Sequence, residues 1–341
     1  MTTSRVAQGL AERGFEVTLW DLSAAGEAEI ESEVTADRPA LIHAFHAYHT
    51  GPLAARLAHR VEAPLVITLT GTDANRDLFD PERAPTVRRV LEQAQRVTVF
   101  HESVAARVGG ALPGIEPKIA VVPQAVRLPA TDVFVLPQRW PMPPHTVLFV
   151  FPAGLRAVKN PAFPLAPLGR LVRTIPEIRL LYVGPVLEPP VGDALARQLS
   201  TRPWARHIGE VPHTQMASLL SRADVVLNCS VSEGGMANSV LEALSLGRAV
   251  LASDIDGNRS LVTDSATGLL FRDEDELERR AELLARDPAL RERLGRAGAA
   301  LVAERFSPAR ELDGYCAAYE DVLPPGRLFR DAAVTRRALG D

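Results

Sequence analysis

Cysteine is almost missing from this sequence: Cys229 and Cys316 are the only two in 341 residues. No disulfide framework can be built from them, and their separation matches no metal-ligand spacing, so a reducing, cytoplasmic setting is expected. An excess of charge is lacking as well. Lys and Arg number 38 against 42 Asp and Glu, a formal charge of -4. That balance provides no electrostatic case for nucleic acid or an anionic membrane as partner. No apolar run approaches the length of a membrane span, and the first residues lack a basic stretch followed by an apolar core. There is no G-x-x-x-x-G-K-[ST] phosphate loop, no G-x-S-x-G nucleophile elbow and no repeat at solenoid spacing.

What is present is an alternation. Apolar runs exchange with helical patterns along the whole chain, which predicts an α/β fold built from βαβ units with parallel sheets. A chain of this length is expected to form two domains. In the first half, strands are expected at residues 15–20, 40–43, 65–69, 97–100 and 119–122, with helices at 53–61, 86–94 and 102–108. Residues 123–144 are rich in proline and poor in helical periodicity, and read as a crossing between domains. Strands then return at 146–151, 179–183, 224–228, 249–252 and 268–271, with helices at 162–174, 192–199, 213–222, 239–246, 275–286 and 289–304. Pro308 suits the first turn of a last helix reaching about residue 323, and a weakly periodic tail follows from 324 to 341.

The start is unusual. Residues 1–4 run directly into a helical pattern over 5–13, ended by Gly14. A doubly wound domain normally places a central strand and a glycine-rich turn before such a helix, and losing that strand exposes pairing groups on its neighbours. The expectation is an N-terminal domain lacking its first strand, with a true start upstream of Met1.

The most informative stretch is residues 232–244, Ser-Glu-Gly-Gly-Met-Ala-Asn-Ser-Val-Leu-Glu-Ala-Leu, set between two apolar strands. Strand, glycine loop, helix and strand in this order present backbone N–H groups to an anion. Glu233 and Glu242 add two carboxylates, so a ligand carrying both phosphate and hydroxyls fits, as a nucleotide sugar does. Ser239 and Glu242 also make an S-x-x-E capping box, which is a purely structural alternative for Glu242. Glu233 has no evident structural role, and Gly234 and Gly235 permit close approach by a ligand. After the strand at 146–151, Gly154 precedes Arg156 and Lys159, a planar fork and a point charge suited to one phosphate group. Two solvated loop charges are the alternative.

The first half holds a strand end, Leu69-Thr70-Gly71-Thr72-Asp73, and three histidines, His43, His46 and His49. Carboxyl ends of parallel strands are where such sheets bind ligands. The histidine spacing fits no common zinc pattern, so no metal site is expected there. The Asp-x-Asp pairs Asp254/Asp256 and Asp273/Asp275 are read as incidental, the second as acidic residues at a helix start.

On these residues the chain resembles the retaining family-4 glycosyltransferases of the GT-B fold, most closely the glycosyltransferase 1 domain-containing proteins. The resemblance covers nearly the whole chain and is strongest from Val147 to Phe271. It implies two Rossmann-like domains facing a cleft: an acceptor-side domain at 1–130 joined by a returning helix at 306–323, a linker at 131–145, and a nucleotide-sugar domain at 146–305. It further implies that Arg156 and Lys159 bind the diphosphate, that Gly154 and the turn of Gly234, Gly235, Met236, Ala237, Asn238 and Ser239 line it, and that Val211 lies against the base. Glu233 would hold donor-sugar hydroxyls and Glu242 the ribose. Where the family pattern is E-x7-E, eight residues separate Glu233 from Glu242 here, so the extra residue falls in the glycine loop.

The function this implies is transfer of a hexose or N-acetylhexosamine, with retention, from a nucleoside diphosphate sugar, a UDP-sugar favoured, to an unspecified acceptor. Fixed cations and a helix N-terminus would make a metal or other cofactor unnecessary. Asp73 and His46 are the acceptor-side candidates. Three alternatives are a selenosugar-synthase-like transferase, suggested by Leu69-Thr70-Gly71-Thr72-Asp73 with Arg76-Asp77, a sugar-nucleotide epimerase of the same fold, and a non-catalytic sugar-nucleotide-binding subunit.

Overall fold

The structure is a computed structural model that describes residues 2–129, 132–136, 140, 142–233 and 235–324. Parts of the expected linker, Gly234 and the tail from 325 therefore lie outside the described residues. The chain divides into two compact units, residues 1–125 with 307–341 and residues 126–306.

The first unit runs α1 (Thr2–Glu12), α2 (Glu27–Asp37), β1 (Ile42–Phe45), α3 (Gly51–Val61), β2 (Leu65–Thr68), α4 (Ala84–Gln93), β3 (Arg96–Val99), α5 (Glu102–Ala111) and β4 (Ile119–Val121). The four strands pair in parallel in the order β1-β2-β3-β4. Helices cover the sheet, so β2 is buried at every position, and its Leu-Val-Ile-Thr run reflects that double burial. Residues 15–20, expected as a strand, pair with no strand among the described residues, which leaves β1 outermost in the sheet. Their alternation still specifies a buried side: Phe15 and Val17 pack with Val6, Leu10 and Tyr315, and Trp20 packs near Ile30 and Val34. Alternation reports which side chains are buried, whereas strand status also needs a neighbour to pair with.

The second unit contains β5 (Val147–Pro152), α6 (Leu165–Leu171), β6 (Ile178–Val183), α7 (Pro189–Leu199), β7 (Ala205–His207), α8 (His213–Ser221), β8 (Val225–Asn228), α9 (Asn238–Ser245), β9 (Ala249–Ser253), α10 (Asp256–Arg259), β10 (Leu269–Phe271), α11 (Glu274–Arg286) and α12 (Pro288–Arg305). Its sheet is parallel with the order β10-β9-β8-β5-β6-β7. The order reverses between β5 and β8, and in an open parallel sheet the crevice at such a reversal is where ligands bind. The core beneath it, Phe149, Phe151, Tyr182, Leu227, Leu251 and Phe271 among others, is almost fully buried.

The chain then returns to the first unit as α13 (Pro308–Glu320), started by Ser307 capping the Arg310 N–H and by a proline in the first turn. Its Glu311 is 1% exposed and accepts two bonds from Arg5 and one from the Ala125 N–H. A carboxylate this enclosed is stable only because all three donors meet it.

Glycine decides one packing contact. A Cβ on Gly295 of α12 would lie 2.0 Å from the Gly247 carbonyl oxygen at the end of α9, an obstacle made of backbone that cannot turn aside. Gly295→Ala is expected to destabilise the protein by about 2–3 kcal/mol, read as a lower urea midpoint at constant slope. Gly110→Ala in α5, where nothing lies within 4 Å, serves as the contrast and should be neutral or stabilising by up to about 1 kcal/mol.

Candidate functional site

The two loops singled out in the sequence leave adjacent strands at the reversal point of the second sheet. Residues 154–159 follow β5, and residues 229–237 join β8 to α9. A Cβ on Gly154 would come within 2.6 Å of the Leu187 side chain, which is exposed and free to turn aside. Lys159 ends a short turn and reaches across to Glu233, with Nζ 2.5 Å from Oε1. The same oxygen accepts from Ser230 Oγ at 2.7 Å and from Asn228 Nδ2 at 3.1 Å. Burial by itself pushes the Glu233 carboxyl up. The Lys159 charge and the three hydrogen bonds outweigh it and hold the group below its ordinary value. Arg156 is exposed in the same loop, three residues before Lys159.

The sequence left Glu242 between a capping box and a ligand role. The capping box does not form. The N-cap of α9 is Ala237 with no side-chain cap, so Ser239 and Glu242 already lie inside the helix. The first turn of α9 thus offers backbone N–H groups uncapped by any side chain, next to Met236 and Ala237, both largely buried. Among the described residues the Glu242 carboxyl has no hydrogen-bond or ion-pair partner, and burial pushes its pKa up to about 7. Val211 lies in the loop between β7 and α8, just after Gly209 with its φ of +79°.

In the first unit the strand ends gather a second polar group. Asp73 is fully buried, and its carboxylate accepts from four backbone N–H groups, those of Ala47, Thr70, Gly71 and Ala74, at 2.9 to 3.1 Å. It therefore shapes the loops after β1 and β2 rather than presenting a free oxygen. His46 adopts a φ of +89°, a region unusual for a side chain this large. Its Nδ1 accepts the Tyr48 and His49 N–H groups, each at 3.2 Å, and its Nε2 lies 3.8 Å from Asp77 Oδ2. Burial pushes the His46 ring's pKa down, with Asp73 acting in the opposite sense. His43 bonds Tyr319 and Thr68 at 2.7 Å, and burial lowers it to about 3, which marks a core histidine.

His46, His49 and Asp77 place ligand atoms within 4.8 Å of one another. The ring orientation opposes a metal there. With Nδ1 facing two N–H donors, a neutral imidazole carries its proton on Nε2, the nitrogen that faces Asp77. Asp77 also holds Arg83 at 2.9 Å.

The Asp-x-Asp pairs resolve as local structure. Arg259 bonds both Asp254 and Asp256, at 2.7 and 3.0 Å, and Asp273 caps α11 by accepting from the Glu276 N–H. Sequence reading passed over Asn228, Ser230 and Asn258. Asn228 and Ser230 had one available signal, their place at the carboxyl end of β8.

Glu242 has a testable signature. Its folded-state pKa of about 7 lies above the ordinary 4.5, so its contribution favours folding at low pH and is lost as pH rises through 7. The ionised form then costs up to about 3 kcal/mol. Glu242→Gln should match wild type in urea unfolding at pH ~4, below the ordinary value of 4.5, and exceed it at pH ~8. Parallel pH profiles for the two proteins would show that Glu242 ionises freely.

Comparison with known proteins places this geometry. Residues 132–300 match the family model described as Glycosyl transferases group 1. The chain is 26% identical over 299 residues to glycosyltransferase 1 domain-containing protein 1 of Xenopus tropicalis, covering 86% of this chain and 85% of that one. It is 28% identical over 316 residues to a D-inositol 3-phosphate glycosyltransferase of Segniliparus rotundus, covering 87% and 69%. Among solved structures, Anabaena Alr3699/HepE in complex with UDP-glucose superposes with a TM-score of 0.74 at 15% identity, covering 86% and 81%. A glycosyltransferase from Rickettsia africae gives 0.74 at 14% identity, covering 94% of each chain. With its two parallel-sheet units the chain has the GT-B fold, and it carries a glycosyltransferase group 1 domain over residues 132–300.

Proposed function

We propose that the protein is a retaining glycosyltransferase that moves a hexose or N-acetylhexosamine from a nucleoside diphosphate sugar, with UDP-sugars favoured, to a hydroxyl-bearing or other nucleophilic acceptor. One observation carries the reading: at the strand reversal of the second unit the Lys159–Glu233 pair joins the loop that also bears the exposed Arg156 to the loop that leads into the uncapped start of α9. That is a cationic place for two phosphates beside a carboxylate for sugar hydroxyls. UDP-glucose bound in the HepE neighbour supports the choice of donor class.

In this reading the bond between sugar and diphosphate breaks with negative charge gathering on the leaving group. Arg156 and Lys159 stabilise that charge, together with the N–H groups of residues 236–238. A donor diphosphate competes with Glu233 for Lys159, so binding frees the carboxylate to accept hydroxyl protons. Glu242 takes the ribose hydroxyls, which supply the donors its carboxyl lacks. Fixed cations and the helix dipole stand where other enzymes use a divalent ion, so no metal is required. The leaving phosphate can accept the acceptor's proton, and no dedicated base is needed. His46 and Asp73 are proposed for the acceptor side, Asp73 through the loops it holds. Two unpaired cysteines fit a cytoplasmic setting, and among the described residues no helix is long and apolar enough to cross a membrane.

Calorimetry with UDP-, GDP- and ADP-glucose, run beside a donor-hydrolysis assay, tests the reading. A saturable preference for one nucleotide with slow hydrolysis is expected, and binding without any turnover would point to a non-catalytic subunit. Arg156→Ala should lower turnover by roughly 10²–10³-fold, and a near-normal rate would remove it from the charge-stabilising role. Glu242→Gln should weaken binding of the free nucleotide without lowering stability.

A further inference from the structure

We propose that Asn258, on the short helix α10, is a positioning residue for Glu233 and acts through Asn228. The inference rests on the reading of Glu233 as the donor-sugar ligand. Asn258 is fully buried, Ser230 is 1% exposed and Asn228 is 5% exposed. Asn258 Nδ2 lies 3.2 Å from Asn228 Oδ1, 2.9 Å from the Ser253 carbonyl and 3.1 Å from Ser253 Oγ. Ser253 Oγ in turn donates to the Ser230 carbonyl at 2.6 Å. Asn228 Oδ1 also accepts the Ser230 N–H at 3.0 Å, and Asn228 Nδ2 donates to Glu233 Oε1 at 3.1 Å.

The chemistry of an amide makes this chain directional. Asn228 has one carbonyl and one NH₂, and both its neighbours on the Oδ1 side are donors. Turning the amide over would set N–H against N–H on that side and oxygen against the Glu233 carboxylate on the other. Asn258 is therefore one of the two groups that oblige Asn228 to show a donor to Glu233. Asn258 Oδ1 is itself buried without a hydrogen-bond partner. A buried amide that leaves its acceptor empty is costly, so the residue serves this place through its donor side.

Gly257 brings α10 close enough for the chain to form. A Cβ there would lie 2.5 Å from both the Glu233 Cβ and the Gly235 carbonyl oxygen. The backbone of α10 thus bears directly on the loop that carries Glu233. None of this was visible as a motif, because Asn228, Ser230, Ser253 and Asn258 sit on β8, the loop after it, β9 and α10, which meet only in the fold.

The test follows the Glu233 carboxyl by ¹³C NMR in glutamate-labelled protein, assigned with Glu233→Gln. In Asn258→Asp the new carboxylate attracts the Asn228 NH₂ and turns its oxygen toward Glu233. The Glu233 titration should move up by about one pH unit. Asn258→Ser, smaller and uncharged, should move it the same way and decides the matter if the aspartate variant does not fold. Arg259→Ala, an exposed change on the same helix, should leave it in place. An unmoved titration in the Asn258 variants, or an equal shift in Arg259→Ala, overturns the proposal. Calorimetry supplies the second readout. Asn258→Asp should lower the affinity ratio of UDP-glucose to UDP about tenfold, with UDP itself within about twofold of wild type. Equal weakening of both ligands would mark general damage and overturn positioning. Glu233→Gln separates the two levels: if it leaves that ratio unchanged the donor-sugar reading fails, while the titration still reports whether Asn258 orients the carboxylate.

Discussion

A carboxylate enclosed at the end of two neighbouring strands has to be compensated, and the second unit is arranged around that requirement. Glu233 lies where an unpaired negative charge would cost several kcal/mol. Lys159 meets it from the loop after β5, Asn228 from the last position of β8 and Ser230 from the loop that follows. The strand order determines that these two loops are neighbours, because β5 and β8 pair directly while the chain between them forms the other side of the sheet. The charge pair follows from that adjacency, and the amide chain and the close approach of α10 follow from the pairing of β8 with β9.

The first unit compensates a buried carboxylate differently. Asp73 is held by four backbone N–H groups, with the His46 ring further off at 3.9 Å. Backbone donors cannot leave without unfolding the loops, so Asp73 is committed to structure. Lys159 is a side chain on a flexible stem, and in the proposed function an incoming phosphate draws it away from Glu233. The contrast separates a carboxylate held by backbone donors from one held by side chains. Glu242 is a third case, a carboxyl enclosed with no partner among the described residues and lifted to about 7 in consequence. Hydroxyl donors from a ligand would relieve that cost.

Much of the fold was legible because parallel strands buried on both faces need continuous apolar runs. β2, β5, β6, β8 and β9 show such runs and were placed from sequence to within a residue or so. Where the pattern was weak, elements were missed. α2 buries only Ile30 and Val34 of its eleven residues, and β7 is three residues with two polar side chains. Residues 15–20 carry a strand-like alternation yet pair with no strand among the described residues, since pairing depends on a neighbour elsewhere in the chain. For the candidate site, residue type and spacing around glycine single out Arg156, Lys159, Glu233 and Glu242. They do not single out Asn228, Ser230 and Asn258, because a buried asparagine has no periodicity to betray it.

The sequence alone determined the alternation of strand and helix, the division into two units, and the placement of a cation loop and a two-glutamate loop after strands. These follow from local preference and burial period, which neighbouring residues specify. Tertiary structure decided the rest. It made Lys159 the partner of Glu233, left Glu242 uncapped, enclosed Asp73 among backbone donors and linked Asn258 to Asn228. Each of those outcomes depends on which loops the sheet order brings side by side, and residues 74 or 30 positions apart come into contact only when the strands between them have paired.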